Sequence, residues 1–305
     1  ARHEEAHWET MGKGQARLIV ECVPNFSEGR ERPVIAALEQ SVRDVPGVRL
    51  LNSTSDADHN RSVLTFAGDP ASVAKAAFSA VATAVAKIDL AKHEGVHPRV
   101  GAADVVPFVP VSGITLEECA ALAHATGDRI WNELHVPVFF YEAAAKRPEC
   151  ARLENIRRRA NSDLSPDIGQ GRHPTAGCCV VGARNFLIAW NIILKSNDLA
   201  AAKSIANEIR ESNGGLPAVK ALGLELASQR KVQVSMNLVD FRRTPLHVVF
   251  DAVRDAAGKR GVEIEGSELI GLIPQAALDA SKNHDLHWIN MRPDLILETC
   301  LSASR

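Results

Sequence analysis

A short segment of the chain, residues 93–104 (HEGVHPRVGAAD), brings together two histidines, an arginine and an aspartate. His93 and His97 match the H-E-x-x-H pattern of zinc peptidases, which requires both histidines on one face of a helix. Gly95 and Pro98 disfavour that helix, because glycine weakens a helix interior and proline moves the preceding residue out of the α region. The segment is therefore predicted to be a metal-free active-site loop in which His97 is a general acid/base.

Other polar residues gather in predicted loops and at strand ends, as expected for a site that binds a polar, multiply charged ligand. Each has a structural alternative. Asn25 and Ser27 could cap the helix that follows, Asp56 and Asp58 could be turn residues, and Arg61 could be a surface arginine. The clusters are Asn25/Ser27/Glu28, Asp56/Asp58/Asn60/Arg61, His97/Arg99/Asp104 and Arg172/His173/Thr175.

Two asparagines, Asn191 and Asn237, occupy corresponding places in two apolar segments, FLIAWNIIL and VQVSMNLVDF. Asparagine is poor in strands and costly to bury without a hydrogen bond. Each is therefore expected to face a partner, either backbone or ligand.

Composition narrows the class of protein. A chain of 305 residues predicts two packed units. A net charge of −2 gives no basic footprint for nucleic acid, and no apolar run is long enough to span a membrane. The six cysteines lack C-x-x-C spacing, which favours a reducing cytoplasm. Cys178 and Cys179 are interpreted as buried residues that begin a strand, and residues 157–159 (RRR) as a solvated helix end.

Hydrophobic periodicity predicts the same order of elements, β-α-β-β-α-β, in both halves of the chain. The predicted fold class is α/β (α+β), with two ferredoxin-like βαββαβ subdomains, sheets covered by helices and a ligand cleft between them. The domains are expected at residues 17–180 and 181–305, after a disordered leader at 1–16. A helix at 115–134 and a strand at 136–141 extend the first unit, 161–179 is a loop, and 284–305 is a terminal helix interrupted by Pro293.

Several ordered motifs together resemble the glutamate formimidoyltransferase (formiminotransferase) family over residues 18–280, in the single-function form without a cyclodeaminase domain. The motifs are residues 21–29 (ECVPNFSEG), Asn60-Arg61 before a strand, 95–104 (GVHPRVGAAD), 173–177 (HPTAG), 182–191 (GARNFLIAWN) and 234–238 (VSMNL).

The resemblance implies two α/β subdomains with a folate tunnel between them, in a cytoplasmic homodimer. It implies transfer of a formimino group from N-formimino-L-glutamate to N5 of tetrahydrofolate, the co-substrate, as a step of histidine degradation. No metal, nucleic acid or membrane is implied. The catalytic histidine falls on His97, and the folate-binding loop on Gly169, Gln170, Gly171, Arg172, His173, Pro174, Thr175 and Gly177, with Asn191 and Asn237 as further folate residues.

The donor substrate is expected to contact Asn25, Ser27, Asn60, Arg61, Arg99 and Asp104. Arg61 and Arg99 suit its carboxylates, while Asp56, Asp58 or Asp104 could hold the cationic formimino group. The alternatives left open are formyl transfer from N-formylglutamate, a folate-binding protein without catalysis, and a zinc hydrolase.

Overall fold

The computed structural model describes residues 18–57, 59–94, 99–226 and 229–302. These residues form two β-sheets, of seven and four strands, with eight α-helices. No helix within these ranges is long and apolar enough to cross a membrane.

The first half of the chain builds a ferredoxin-like unit. Its elements are β1 (Ile19–Cys22), β2 (Asn25–Phe26), α1 (Arg32–Arg43), β3 (Val48–Asp56), β4 (Arg61–Gly68), α2 (Pro70–Lys87) and β5 (Ala103–Ser112). β1 and β2 lie end to end, because both pair antiparallel with β4 and with β5. β3 completes the unit by pairing with β4. The order β3, β4, β1/β2, β5 is that of a βαββαβ sheet and confirms the prediction.

Two parallel strands extend this sheet. The first is β6 (Val138–Glu142), which follows α3 (Leu116–Leu134). The second is β7 (Cys179–Ala183), which follows α4 (Leu153–Arg159). β7 lies between β5 and β6 and pairs parallel with both. The predicted extension is therefore confirmed, although β6 reaches the sheet through β7. The domain boundary predicted between residues 180 and 181 falls inside β7, so residues 181–183 belong to the first sheet.

The second half repeats the predicted element order. It consists of β8 (Ile188–Leu194), α5 (Leu199–Ile209), β9 (Val219–Leu226), β10 (Lys231–Leu238), α6 (Leu246–Gly258) and β11 (Ile264–Ile270). The strand order β11-β8-β10-β9 is antiparallel throughout. Its inner strands are again the first and third of the unit.

Local sequence signals explain where several helices begin. Thr115 and Glu118 form a capping box at α3, in which each side chain accepts a backbone hydrogen bond from the other residue. The Asp69 and Asp198 side chains accept hydrogen bonds from the first turns of α2 and α5. The remaining helices are α7 (Gln275–Asp279), α8 (Leu297–Ser302) and short 3-10 turns at residues 90–92, 148–150, 211–213 and 293–295.

The prediction of a terminal helix at 284–305 is wrong for the first part of that range. Residues around Trp288 instead run parallel to β11, since the Ser267 amide donates to the His287 carbonyl oxygen and the Ile289 amide donates to the Ser267 carbonyl oxygen. Trp288 packs on the buried Trp190 ring, with a centroid distance of 5.3 Å. Pairing at the sheet edge therefore overrides the helical pattern, and the helix is confined to α8 after Pro293.

The second sheet has a face that none of the described helices covers. In the second sheet, Trp190 and Ile192 belong to the core under α5 and α6, so Asn191 between them points to the other face. Lys220 lies on that face of β9, with its Nζ 2.6 Å from Glu154 Oε1 and 3.9 Å from Glu142 Oε1. Both glutamates belong to the first half of the chain, so the helix-free face of the second sheet is directed towards the first subdomain.

Candidate active site

A small cavity opens where β2 and β4 meet the loop before β5. It is lined by Phe26 and five of the six predicted substrate residues, Ser27, Asn60, Arg61, Arg99 and Asp104. Residues from three separate sequence motifs are thus brought together. The sixth residue, Asn25, donates from Nδ2 to the Val23 carbonyl oxygen at 2.9 Å. This hydrogen bond stabilises the two-residue interruption between strands β1 and β2.

Asn60 holds three segments of the cavity wall in place. Its Oδ1 accepts from the Gly29 amide at 2.9 Å, and its Nδ2 donates to the Glu94 carbonyl oxygen at 3.0 Å. The residue is 7% exposed and has a φ of 48°, a left-handed conformation that asparagine tolerates better than most residues. A buried amide with a donor and an acceptor already bonded fixes backbone positions.

Ser27 ties β2 to the loop before β5. Its Oγ donates to the Gly101 carbonyl oxygen at 2.8 Å, and its amide donates to the Ala102 carbonyl oxygen at 2.9 Å. The helix-cap alternative for Asn25 and Ser27 is wrong, because the N-cap of α1 is Glu31. Ser27 is part of the cavity wall.

Two arginines give the cavity its positive charge. The Nε of Arg61 is buried, and burial, followed by the nearby charge of Arg157, lowers the pKa of Arg61 to about 10 while Asp104 raises it. Burial also lowers the pKa of Arg99, against the raising effect of Asp104. Both groups stay protonated at neutral pH. The interpretation of Arg61 as a surface arginine is wrong.

Asp104 is 2% exposed and has both oxygens in use. Oδ1 accepts from the Val100 amide at 2.6 Å, and Oδ2 accepts from Arg157 Nη2 at 2.6 Å. The Arg157 side chain is only 15% exposed. The prediction that residues 157–159 are a solvated helix end is therefore wrong for Arg157, because Ile156 packs α4 against the first sheet and carries the next side chain inward.

An aspartate–histidine pair lies next to the cavity, since the His59 carbonyl oxygen is 3.5 Å from Arg99 Nη2. Asp56 Oδ1 accepts from the His59 amide at 2.8 Å, and its Oδ2 lies 3.0 Å from His59 Nδ1. This geometry fits the turn interpretation of Asp56. Asp58 lies outside the described residues.

His97, the predicted acid/base, also lies outside the described residues, but its flanks are described. His93 Nε2 lies 3.0 Å from the Asn60 carbonyl oxygen, and the Arg99 guanidinium contacts both ring nitrogens of His93. His93 is thus engaged by protein groups at both nitrogens. Across the described ranges, no three His, Cys, Asp or Glu side chains cluster in a way that could hold a metal ion.

The predicted folate loop packs directly on the loop that carries Arg99. Arg172 Nη2 donates to the Val100 carbonyl oxygen at 2.9 Å, and the Ala102 amide donates to the Ala176 carbonyl oxygen at 2.9 Å. His173 closes the loop on itself, since its Nδ1 accepts from the Ala176 amide at 3.0 Å and its backbone bridges Gly177. Gly169 contacts Trp131, whereas Gly171 is open to solvent, as are the exposed residues Gln170 and Pro174.

The two strand asparagines differ in environment. Asn191 is 9% exposed, whereas Asn237 is exposed, so the cost of burying an unpaired amide applies only to Asn191. Asn191 pairs in register with Ser235, two residues before Asn237, which places both amides on the same helix-free face.

The adjacent cysteines are buried, as predicted, and Cys179 begins β7. Burial raises the pKa of both Cys178 and Cys179, which disfavours the thiolate needed for nucleophilic attack. All six cysteines are free.

Sequence reasoning missed two residues of the site, Arg157 and His93. An arginine directly after an apolar helix residue in a charged run carries no distinct signal, because burial of its side chain depends on how α4 docks. His93 was visible as half of the H-E-x-x-H pattern, but its contacts with Asn60 and Arg99 depend on the tertiary fold.

Comparisons with known proteins agree with this arrangement. The family models for the formiminotransferase domain match the chain in two parts, the N-terminal subdomain at residues 19–184 and the formiminotransferase domain at 189–298. A glutamate formimidoyltransferase of Streptococcus pyogenes serotype M1 is 44% identical, over 85% of this chain and 90% of its own length. One from Thermoplasma acidophilum is 40% identical, over 87% and 91%.

The rat (Rattus norvegicus) formimidoyltransferase-cyclodeaminase is 41% identical over 86% of this chain, which matches 52% of that longer protein. The two family models together cover both sheets, the cavity and the loop that packs on it. The chain belongs to the formiminotransferase family.

Proposed function

We propose that the chain transfers the formimino group of N-formimino-L-glutamate to N5 of tetrahydrofolate, yielding L-glutamate and 5-formiminotetrahydrofolate. The observation that carries this proposal is the convergence of two arginines, Arg61 and Arg99, on one cavity that also adjoins the predicted folate loop. The donor has two carboxylates, and guanidinium groups bind carboxylates through paired, charge-assisted hydrogen bonds.

Asn60 and Ser27 are proposed to shape the donor pocket through the backbone groups they hold. Asp104 is occupied by Arg157 and the Val100 amide, so its proposed role is to fix the loop. The cationic formimino group is then left to Asp56 or Asp58.

In the proposed reaction, the N5 nitrogen attacks the formimino carbon and forms a tetrahedral intermediate. His97 takes the proton from N5 and returns it to the glutamate nitrogen as the carbon–nitrogen bond to glutamate breaks. An imidazole suits both transfers, since its ordinary pKa lies near neutrality. No step of this sequence requires a metal, and tetrahydrofolate is the second substrate.

The wider assignments are also proposals. Free, mostly buried cysteines are consistent with a reducing cytoplasm. The proposed reaction fits a place in histidine degradation and one-carbon metabolism, as the family resemblance implies. A homodimer is the expected assembly.

The function is tested by offering purified protein tetrahydrofolate together with either N-formimino- or N-formyl-L-glutamate, with and without a chelator. We expect transfer from the formimino donor that the chelator leaves unchanged. Preference for the formyl donor, binding of tetrahydrofolate without any transfer, or loss of turnover on chelation would each replace the proposal with one of its rivals.

A first prediction concerns His97. His97→Asn is expected to keep the fold and folate binding, because one polar side chain replaces another of similar size, while single-turnover transfer falls by about two to four decades. Calorimetric binding of tetrahydrofolate and transfer rates are measured on the same preparation. Turnover within about threefold of the parent protein would show that His97 relays no proton.

A further inference from the structure

Asp104, which lines the donor cavity, forms a buried ion pair with Arg157. Arg157 Nη2 lies 2.6 Å from Asp104 Oδ2, with the two side chains 15% and 3% exposed. The Nε of Arg157 is buried and has no hydrogen-bond partner among the described residues. Arg157 comes from α4, whereas Asp104 lies in β5 at the end of the site loop. The pair therefore joins an element outside the predicted site to its centre.

Asp104 is also close to the two arginines that line the cavity. Its charge raises the pKa of Arg61 and of Arg99, and the charge of Arg157 lowers that of Arg61. Three guanidinium groups thus surround one buried carboxylate. Among these three guanidinium groups, that of Arg157 forms an ion pair with Asp104 at less than 4 Å.

The identity of the arginine that pairs with Asp104 affects how the cavity binds a carboxylate ligand. A buried carboxylate that loses its ion-pair partner is strongly destabilised. It is therefore expected to form an ion pair with another nearby cation. For Asp104 the cations within reach are Arg61 and Arg99. An aspartate bound to either arginine would compete with a substrate carboxylate for the same guanidinium group.

We propose that Arg157 is a positioning residue that determines specificity for a dicarboxylate donor, because it holds Asp104 and keeps it from pairing with Arg61 or Arg99. The guanidinium groups of Arg61 and Arg99 are then not engaged by Asp104, and each can bind one carboxylate of the ligand. This inference rests on the proposed function for its substrate, but the role of Arg157 is measured through carboxylate binding and does not depend on turnover.

The test compares Arg157→Met with the double variant Arg157→Met/Asp104→Asn. Asparagine keeps the Oδ1 acceptor for the Val100 amide but removes the charge that would compete for the cavity arginines. Arg157→Lys, which retains the positive charge, is the conservative variant. Arg158→Met is the matched control, since Arg158 is the next residue of α4, is exposed and, within the described ranges, forms its side-chain hydrogen bond with Asn155.

Binding of glutarate and of butyrate is measured by calorimetry on every variant, beside KM and kcat for formimino transfer and a thermal unfolding curve. For Arg157→Met we expect glutarate affinity to fall about 10- to 100-fold, the range for one charge-assisted contact, with butyrate affected far less. KM for the donor should rise in parallel, with little change in KM for tetrahydrofolate. The double variant should return to within about threefold of the parent protein, and Arg157→Lys should lie between.

Two results would overturn the inference. Equal glutarate affinity in Arg157→Met and the parent protein would mean that Arg157 does not control Asp104. An equal loss in the single and double variants would mean that Arg157 binds the ligand itself or serves only the fold. A parent protein that binds glutarate as expected, shows the rescue and yet transfers no formimino group would leave this inference standing and refute the proposed function.

Discussion

Individual residues around the cavity divide into those that hold backbone and those that present charge. The motifs that contain Asn60, Ser27 and Arg99 can be located in the sequence, because polar residues that could bind a charged ligand gather there in predicted loops and at strand ends. Their convergence could therefore be predicted. The role of Arg157 could not be predicted, because neighbouring arginines in one helix look alike in the sequence. Only the docking of α4 makes the Arg157 side chain, at 15% exposed, less accessible than the others.

Glu21 is a second residue whose environment the sequence does not reveal. It lies on β1 between Ala67 and Val109 and is 1% exposed. Its neighbours Val20 and Cys22 are in the core under α1, α2 and α3, so the carboxyl group points to the opposite face of the sheet. Burial raises the pKa of Glu21 from 4.5 to about 7, partly opposed by the charge of Arg184.

This shift predicts a pH-dependent stability. A folded-state pKa above the unfolded one stabilises the fold below about pH 4.5, and that contribution is lost as the pH rises through about 7. Glu21→Gln cannot ionise, so its unfolding free energy relative to the parent protein should increase between pH 5 and pH 8, by up to about 3 kcal/mol. Denaturant unfolding at both pH values measures this.

The matched control for Glu21→Gln is Glu225→Gln, which changes an exposed glutamate on strand β9. The control should change stability by a similar, small amount at both pH values. If Glu21→Gln behaved in the same way, burial would not raise the pKa of the Glu21 carboxyl group on folding.

At the scale of elements, the sequence predicts the two βαββαβ units because alternating and helical periodicities are clear in each half. It does not predict which strands become neighbours beyond the unit. β7 is short and follows a loop, and its place between β5 and β6 depends on where α3 and α4 pack. The break between β1 and β2 is local, since Pro24 has no amide hydrogen to donate to the sheet.

The two loops of the site depend on one close backbone approach. A Cβ atom on Gly101 would overlap the Cys178 carbonyl oxygen, and Gly101 bridges Gly177 in the folate loop. Gly101→Ala must therefore push the two loops apart. We expect a loss of stability of about 1–3 kcal/mol, the usual cost of overpacking, together with weaker binding of both substrates.

Gly258→Ala is the matched control for Gly101→Ala. Gly258 ends α6, and a Cβ atom there meets no atom within 4 Å, so alanine should be neutral or slightly stabilising. Thermal unfolding and substrate binding are compared for the two variants. A Gly101→Ala protein as stable and as active as Gly258→Ala would contradict the close packing of the loops.

At the scale of the whole molecule, the sheets must be placed relative to each other before a shared ligand site exists. Periodicity identifies the two faces of each sheet but carries no information about what covers them. The contacts of Lys220 with Glu142 and Glu154 place the free face of the second sheet towards the first subdomain. These exposed ion pairs contribute little stability, about 0–1 kcal/mol each. They therefore indicate how the second sheet is oriented relative to the first subdomain but are too weak to determine that orientation.

A ligand that spans the two subdomains would reach from the loop at Gly169–Gly177 to the free face of the second sheet, where Asn191 is nearly buried. We therefore expect Asn191→Leu, which keeps the size but removes both hydrogen-bonding groups, to raise KM for tetrahydrofolate about 10-fold and leave KM for the donor unchanged. Asn207→Leu, an exposed change in α5, is the control. If both variants bound tetrahydrofolate with the parent affinity, folate would not extend to the second sheet, and the site would be confined to the first subdomain.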